Sequence, residues 1–242
     1  ASAAAPASPG WQALLSAGRA QAEAGLPALG LPTLRAHEDL LLAHARASVL
    51  RAFERLALFA EDGQPHTVAV LARRGGVQAR FHQLLERLLQ ALAESGDLQR
   101  SADGVYGGFT APDDAHMAQL AAQCAPAWEA SPDFRPVFLQ AAEQLAAVLA
   151  GRSSGLEAML GNDSLTSAEG IYADLPTSRY FNALVSELVR TFALQAGTRP
   201  LRVLEIGAGT GATTCQVLAH LPAGRCEYVF SDVSPLFLDR AA

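Results

Sequence analysis

Apolar and polar positions alternate with a helical period over most of the chain. From Trp11 to about Phe59 apolar residues recur every three or four positions, which predicts a helix from about residue 33 to Phe59. The same period predicts further helices over residues 78–94, 115–128, 136–150 and 177–195. Between them, an Asp-Gly pair separates two short alternating runs, which predicts a hairpin near 97–109 in a small winged-helix-like unit. Residues 11–198 are therefore expected to be mainly helical.

The pattern changes after Pro200. An apolar run over 201–206 predicts a strand, the glycine-rich stretch 207–211 a tight turn, 212–221 a helix and 227–231 a second strand. Residues 235–242 have the pattern that is typical of the beginning of another helix. This order predicts an α/β chain that ends in the start of a doubly wound, Rossmann-like core with an incomplete sheet. Two parallel strands leave apolar faces uncovered, so we expect either a fragment of a larger domain or a decayed domain, and favour the fragment.

Composition narrows the possible partners. The 242 residues are 50% hydrophobic and 17% charged, which predicts one large or two small globular domains. All 18 basic residues are arginine, and the net charge of -6 argues against a nucleic-acid partner. Three widely spaced cysteines indicate neither a metal site nor a disulfide framework, so a reducing cytoplasm is expected. No apolar run predicts a membrane span, and residues 1–10, rich in Ala, Pro and Ser, are interpreted as a linker.

The glycine-rich stretch is the main candidate for chemistry. Glycines at 207, 209 and 211 allow a sharp turn and a close approach to a ligand. Asp232 follows the loop by about twenty residues, at the end of the second strand, where nucleotide-binding folds hold a ribose. The same glycines, with Ala212, also fit the relaxed dinucleotide pattern, so a nicotinamide or flavin cofactor stays open. Glu205 favours the cationic S-adenosylmethionine, although it could instead be a strand-end carboxylate that accepts backbone N–H groups.

Three stretches resemble the C-methyltransferase domain of modular polyketide synthases. They are 201–214 (LRVLEIGAGTGATT), 227–238 (EYVFSDVSPLFL) and the upstream 170–182 (GIYADLPTSRYFN). The segment from Arg80-Phe-His to Gly96-Asp-Leu is similar, more weakly, to the helical lid of that family. The resemblance implies that 11–198 form the lid and 199–242 the first βαβ unit of an S-adenosylmethionine-binding core.

The resemblance also implies a reaction and a set of partners. The expected reaction moves a methyl group from S-adenosylmethionine to the α-carbon of a β-ketoacyl chain on an acyl carrier protein, inside a multidomain synthase. It implies cofactor-binding roles near the methionine part for Glu205, Gly207, Gly209 and Gly211, at the ribose for Asp232, and from the lid for Tyr172 and Tyr180. Ala208, between the loop glycines, is also expected to bind the cofactor.

One departure from the family concerns the general base. In that family a histidine, assisted by a glutamate, lies on later strands of the core, and this chain has no histidine after His220. The catalytic residues are therefore unknown, and His37 or His44 in the base role would depart from the family. We expect the segment alone to be inactive. A catalytically dead pseudo-methyltransferase with a structural role is the alternative, and a nicotinamide-dependent half-domain is a third.

Overall fold

A computed structural model describes residues 10–59, 64–155 and 164–241, and the side chains of 164–168 lie outside this description. The chain divides into two compact units: Ala1–Leu34 with Ala168–Ala242, called unit 1, and Arg35–Ser167, called unit 2. The first ten residues, interpreted as a linker, lie outside the described residues except for Gly10. The division differs from the predicted one at 198/199, because the first helix and the helix before Gly197 share a unit with the strands.

The described helices and strands make the chain mainly helical up to residue 196 and then form a strand–helix–strand–helix sequence. In chain order they are α1 (Trp11–Leu29), α2 (Leu31–Arg55), α3 (Val68–Arg74), a 3-10 turn (Ala79–Phe81), α4 (His82–Glu94), β1 (Gln99–Arg100), β2 (Tyr106–Gly107), α5 (Asp114–Gln123), α6 (Ala125–Ala130), α7 (Phe134–Leu149), α8 (Ser164–Asp174), α9 (Pro176–Ala196), β3 (Leu201–Ile206), α10 (Ala212–Leu218), β4 (Cys226–Ser231) and α11 (Pro235–Ala241). No described helix is both long enough and apolar enough to cross a membrane.

Unit 2 is built around one apolar core. Phe53, Leu71, Leu85, Leu89 and Leu149 are fully buried there and come from four different helices. Packing of this kind is the main source of stability for such short helices, because isolated helices are marginal in water. The short antiparallel hairpin of β1 and β2 lies against the same core through the buried Tyr106.

Unit 1 joins distant parts of the chain. α1 packs along α9, and two glycines of α1 allow the close approach. A Cβ on Gly25 would lie 2.9 Å from the Tyr180 ring, and one on Gly18 would lie 3.1 Å from Leu188. The Tyr180 hydroxyl donates a hydrogen bond to the Ala22 carbonyl at 3.3 Å. α1 thus packs on α9, the helix that precedes the two parallel strands.

β3 and β4 pair in parallel, with Leu201 opposite Cys226 and Ile206 opposite Ser231. The connection runs through the glycine loop and α10, as the sequence predicts. One face of this two-stranded sheet is exposed: Leu204 is 62% and Ile206 is 82% accessible. The carboxyl ends of both strands lie beside the glycine loop, which is where ligands bind in open α/β sheets.

Several helix limits differ from the sequence prediction for identifiable reasons. Gly30, with φ of 59°, ends α1, and α2 begins at Leu31 rather than at 33. α2 stops at Arg55, because Ala57 takes a positive φ of 48° and turns the chain. The region predicted as one helix over 115–128 divides at Cys124. The sequence indicates a helical pattern from Trp11 onward, but it predicts no separate helix over α1, over α3, which Thr67 caps, or over α8.

Candidate cofactor site

A cleft of about 550 Å³ lies beside the glycine loop in unit 1. Four helices and the loop contribute to it, together with the end of β3. The lining residues are Tyr172, Thr177, Ser178, Phe181, Asn182, Glu205, Gly207, Ala208, Gly209, Thr210, Ala212, Thr213 and Phe237. Glu205 is the single charged residue among the described residues of this lining. The cleft is therefore a mixed polar and apolar cavity with one negative charge.

The loop between β3 and α10 depends on glycine. Gly207, Gly209 and Gly211 have φ values of 72°, 56° and 77°, a region that costs a residue with a Cβ about 1–2 kcal/mol. A Cβ on Gly207 would meet no atom within 4 Å, so the backbone is open to a ligand there. The N–H groups of Gly207 and Ala208 donate to the Ser231 carbonyl at 2.9 and 3.0 Å, which fastens the loop to the end of β4.

Asp232 braces the same loop. Its Oδ1 accepts the N–H of Ser234 at 2.8 Å and its Oδ2 accepts the N–H of Gly209 at 2.9 Å. These two donors, that of Ser234 first, hold the pKa of Asp232 below its ordinary value. Asp232 does not belong to the lining of the cleft. Its predicted contact with a ribose stays a prediction, and its visible role is to fix the loop.

Glu205 lies near the end of β3 and lines the cleft. Its Oε2 accepts two side-chain hydroxyls, that of Thr214 and that of Tyr228, the latter at 2.7 Å. Burial, and then the hydrogen bond to Glu205, raise the pKa of the Tyr228 phenol, so the phenol stays protonated and keeps donating. The alternative considered for Glu205, a carboxylate bound to backbone N–H groups, differs from this arrangement, because both partners are side chains.

The two tyrosines proposed from the resemblance have different positions. Tyr172, 60% exposed, lines the cleft. Tyr180 does not: its hydroxyl donates to Ala22 of α1, and its ring packs edge-on against Phe181. Phe181, the next residue, is also 60% exposed and lines the cleft instead. One step along a helix turns the side chain by about 100°, so these neighbours point to different surroundings.

Asn182 and Thr213 are lining residues that the sequence reasoning did not identify. The Thr213 hydroxyl donates to Asn182 Oδ1 at 2.7 Å, and Asn182 Nδ2 donates to the Tyr172 carbonyl at 3.0 Å. A signal was present in the sequence, since Asn182 stands four residues after Ser178 and four before Ser186 on a mostly apolar helix. Polar residues at that spacing form a stripe on one helix face.

None of the histidines lines the cleft in the part of the chain that the structure describes. His44 is buried in unit 2 against the rings of Trp128 and Phe138, and burial lowers its pKa. His220 follows the end of α10, and His37 lies on α2. Across residues 10–59, 64–155 and 164–241, no group of three or more His, Cys, Asp and Glu is placed to hold a metal ion.

The sequence is similar to segments of polyketide synthases and related synthetases. It is 36% identical over 197 residues to polyketide synthase ThaQ of Burkholderia thailandensis, covering 74% of this chain and 9% of that protein. It is 31% identical over 195 residues to pyochelin synthetase PchF of Pseudomonas aeruginosa, covering 76% of this chain and 10% of that protein. The chain thus spans about a tenth of the length of these relatives. No family model matches the sequence.

Solved structures extend the comparison to the fold. The CurJ carbon methyltransferase matches with a TM-score of 0.83 and 23% identity, over 94% of this chain and 61% of that one. The DszA carbon methyltransferase matches with a TM-score of 0.75 and 23% identity, over 96% and 57%. The methyltransferase domain of the citrinin polyketide synthase gives 0.75 and 18%, over 95% and 62%.

These matches confirm the predicted α/β fold class and the predicted resemblance. The chain has the α/β fold of the carbon methyltransferase domains of polyketide synthases, and the proteins to which its sequence is related include polyketide synthases from bacteria and fungi.

Proposed function

We propose that the chain is part of a C-methyltransferase that moves a methyl group from S-adenosylmethionine to the α-carbon of a β-ketoacyl chain on an acyl carrier protein. The fold and the related synthases support a methyltransferase. The observation that carries the choice of cofactor is the charge of the cleft, because Glu205 is its single charged residue among the described ones.

The lining fits a sulfonium cofactor better than a dinucleotide. A cavity of about 550 Å³ is within the range of small-molecule sites. A pyrophosphate is favoured by cationic side chains, and no arginine or histidine of the described residues lines this cleft. A carboxylate in a partly desolvated cavity instead favours a cation. When bound, S-adenosylmethionine would supply the methyl group, carried on a positively charged sulfur.

The residues of the chain that would hold this cofactor fall into three groups. The backbone at Gly207 is open to close approach, and Glu205 supplies the negative charge. Tyr172 and Phe181 offer exposed aromatic faces on the opposite wall. Asp232 accepts the N–H groups of Gly209 and Ser234, and a carboxylate has about four acceptor positions, so it keeps acceptor capacity for a ribose hydroxyl.

The described lining of the cleft lacks the histidine expected for the proton transfer. Removal of the α-proton needs a base within hydrogen-bond reach of the substrate carbon. No histidine lines the cleft in the described part of the chain. The base would then come from elsewhere in the synthase, and the 242-residue segment by itself is expected to bind the cofactor without turnover.

Calorimetric titration of the purified chain with S-adenosylmethionine, S-adenosylhomocysteine and NADPH tests the proposal. We expect binding of the two sulfur cofactors and none of NADPH. Glu205→Gln should weaken S-adenosylmethionine binding about tenfold, or about 1.4 kcal/mol, since it removes the one charge of the lining. Glu227→Gln is the matched control, because Glu227 is an exposed carboxylate on the paired strand β4.

The other outcomes point to the alternatives. A folded chain that binds none of the three ligands would support a structural pseudo-methyltransferase. Tighter binding of NADPH than of S-adenosylmethionine would support the oxidoreductase half-domain. Methyl transfer to a β-ketoacyl carrier protein by the chain alone would show that a base is present, and His37, His44 and His220 would be the first residues to replace.

A further inference from the structure

Three polar side chains stand in a row on α9. Ser178, Asn182 and Ser186 are spaced four residues apart, so they lie one above another on one face of the helix. Asn182 is only 7% exposed and Ser186 only 5%. A buried polar group costs free energy unless it is hydrogen-bonded, so each of these side chains needs a hydrogen-bond partner.

Each member of the row donates to a backbone carbonyl near the end of a neighbouring helix. The bonds are Ser178 Oγ to the Ile171 carbonyl at 3.0 Å, Asn182 Nδ2 to the Tyr172 carbonyl at 3.0 Å, and Ser186 Oγ to the Gln216 carbonyl at 3.2 Å. The last four carbonyls of an α-helix have no partner within the helix. α9 therefore supplies donors to the ends of α8 and α10.

The Tyr172 carbonyl has a particular need for such a donor. A continued α8 would bring the N–H of residue 176 to this carbonyl, but residue 176 is proline, which has no N–H. Asn182 replaces that missing bond. On its other side, Asn182 Oδ1 accepts the hydroxyl of Thr213, the second residue of α10 after the glycine loop. One side-chain amide thus links both walls of the cleft.

We infer that Asn182 is a positioning residue for the cofactor, an inference that rests on the proposed function. Its amide fixes the distance across the cleft between the end of α8, which carries the Tyr172 ring, and the start of α10. Tyr172 and Thr213 both line the cleft, whereas Ser186, with an equivalent bond, does not. Two directional hydrogen bonds of 3.0 and 2.7 Å hold this separation more narrowly than apolar contacts could.

Replacement of either end of the link tests the inference. Asn182→Leu removes both bonds at similar volume, and Thr213→Val removes the hydroxyl donor alone. Each is expected to weaken S-adenosylmethionine binding about five- to tenfold by calorimetry, at a temperature where the variant is folded. Thr213→Ser keeps the donor and should restore affinity to within about twofold of the unaltered chain. If Asn182→Leu does not fold, Thr213→Val and its serine rescue still decide the question.

Ser186→Ala is the matched control for a purely structural effect. It removes an equally buried donor from the same face of the same helix, also bound to a helix-end carbonyl. We expect it to lower the melting temperature about as much as Thr213→Val does, with unchanged affinity. Equal losses of affinity in Ser186→Ala and Thr213→Val would overturn the inference.

A double variant separates positioning from direct contact. If Asn182 and Thr213 act through their shared bond, Asn182→Leu with Thr213→Val should bind no more weakly than Asn182→Leu alone. Fully additive losses would mean that each side chain touches the cofactor separately, which contradicts a positioning role.

Hydrogen exchange makes the test independent of the cofactor. Asn182→Leu breaks both bonds and should speed amide exchange at both ends of the link, in residues 171–174 and 212–216. Ser186→Ala should speed exchange in the second segment only. If the unaltered chain binds neither sulfur cofactor, the proposed function fails, and this exchange pattern still shows whether Asn182 joins the two walls. Unchanged exchange at both segments would overturn the link itself.

Discussion

The two hydroxyl groups that donate to Glu205 are expected to stabilise the folded chain, and replacing them tests this. Tyr228→Phe removes one of the two hydroxyls that donate to Glu205 Oε2. A hydrogen bond to a charged group contributes about 1.5–3 kcal/mol. The Thr214 donor remains and Glu205 is only partly buried, so we expect the low end, about 1.5 kcal/mol of unfolding free energy. Removing the second donor as well, with Thr214→Val, should cost more than the sum of the single changes, because the carboxylate then loses both hydroxyls.

Urea denaturation followed by tryptophan fluorescence measures this loss. The chain has two tryptophans, Trp11 in unit 1 and Trp128 in unit 2, so a Trp128→Phe background reports on the unit that holds the site. Tyr172→Phe is the control, since it removes a hydroxyl from a side chain that is 60% exposed, and should change stability by less than about 0.5 kcal/mol. If Tyr228→Phe is no more destabilising than Tyr172→Phe, the hydroxyl bond to Glu205 does not support the fold.

Three further predictions concern the loop, the acid side of the stability profile and the core. Gly211→Ala should cost about 1–2 kcal/mol of unfolding free energy because of its φ of 77°. Gly10→Ala, at the N-cap of α1 with an ordinary φ of -65°, should cost less than about 1 kcal/mol in the same urea denaturation. Two backbone donors lower the pKa of Asp232 in the folded state, so its stabilising effect is complete above the unfolded pKa of about 4 and is lost as the pH falls through the folded pKa. In Asp232→Asn, the free energy of unfolding should therefore fall less steeply as the pH is lowered, as measured by urea denaturation at a series of acidic pH values. The same pH dependence in the variant and the unaltered chain would contradict this. Leu85→Ala, at a fully buried position, should cost about 2–5 kcal/mol, and Leu84→Ala, at a position 40% exposed, less than about 1 kcal/mol, both by denaturation.

The helical period of apolar residues predicted the helices that bury one face in the interior of their own unit. α4 and α9 have strong apolar stripes, and their limits agree with the prediction to within a few residues. α3 was not predicted because its seven residues are too short to show a period, and it depends on the Thr67 cap and on the buried Leu71. The division into units could not be predicted either, since it depends on contacts between α1 and α9 that are far apart in the sequence.

In the site too, residues placed by neighbouring sequence could be predicted, whereas residues placed by distant parts of the chain could not. Glu205 and the loop glycines could be found from the sequence because the strand, turn and helix that place them are contiguous. The choice of Tyr180 over Phe181 depends on which side of α9 faces α1, and a single sequence does not contain that information. Asn182 was missed because its importance comes from the Tyr172 carbonyl and the Thr213 hydroxyl, which lie on two other helices, α8 and α10.

The pairing of α1 with α9 has a consequence for synthesis of the protein. The bond between Tyr180 and Ala22 joins residues 158 positions apart, and the ribosome adds about 5–20 residues each second, so α1 waits roughly 8–30 s for its partner. Unit 2, Arg35–Ser167, is continuous in the chain and emerges before α9, so it can fold while α1 is still unpaired. Deleting α1 would then leave early folding of unit 2 intact and would remove support from Leu188 and Tyr180 only after α9 is made.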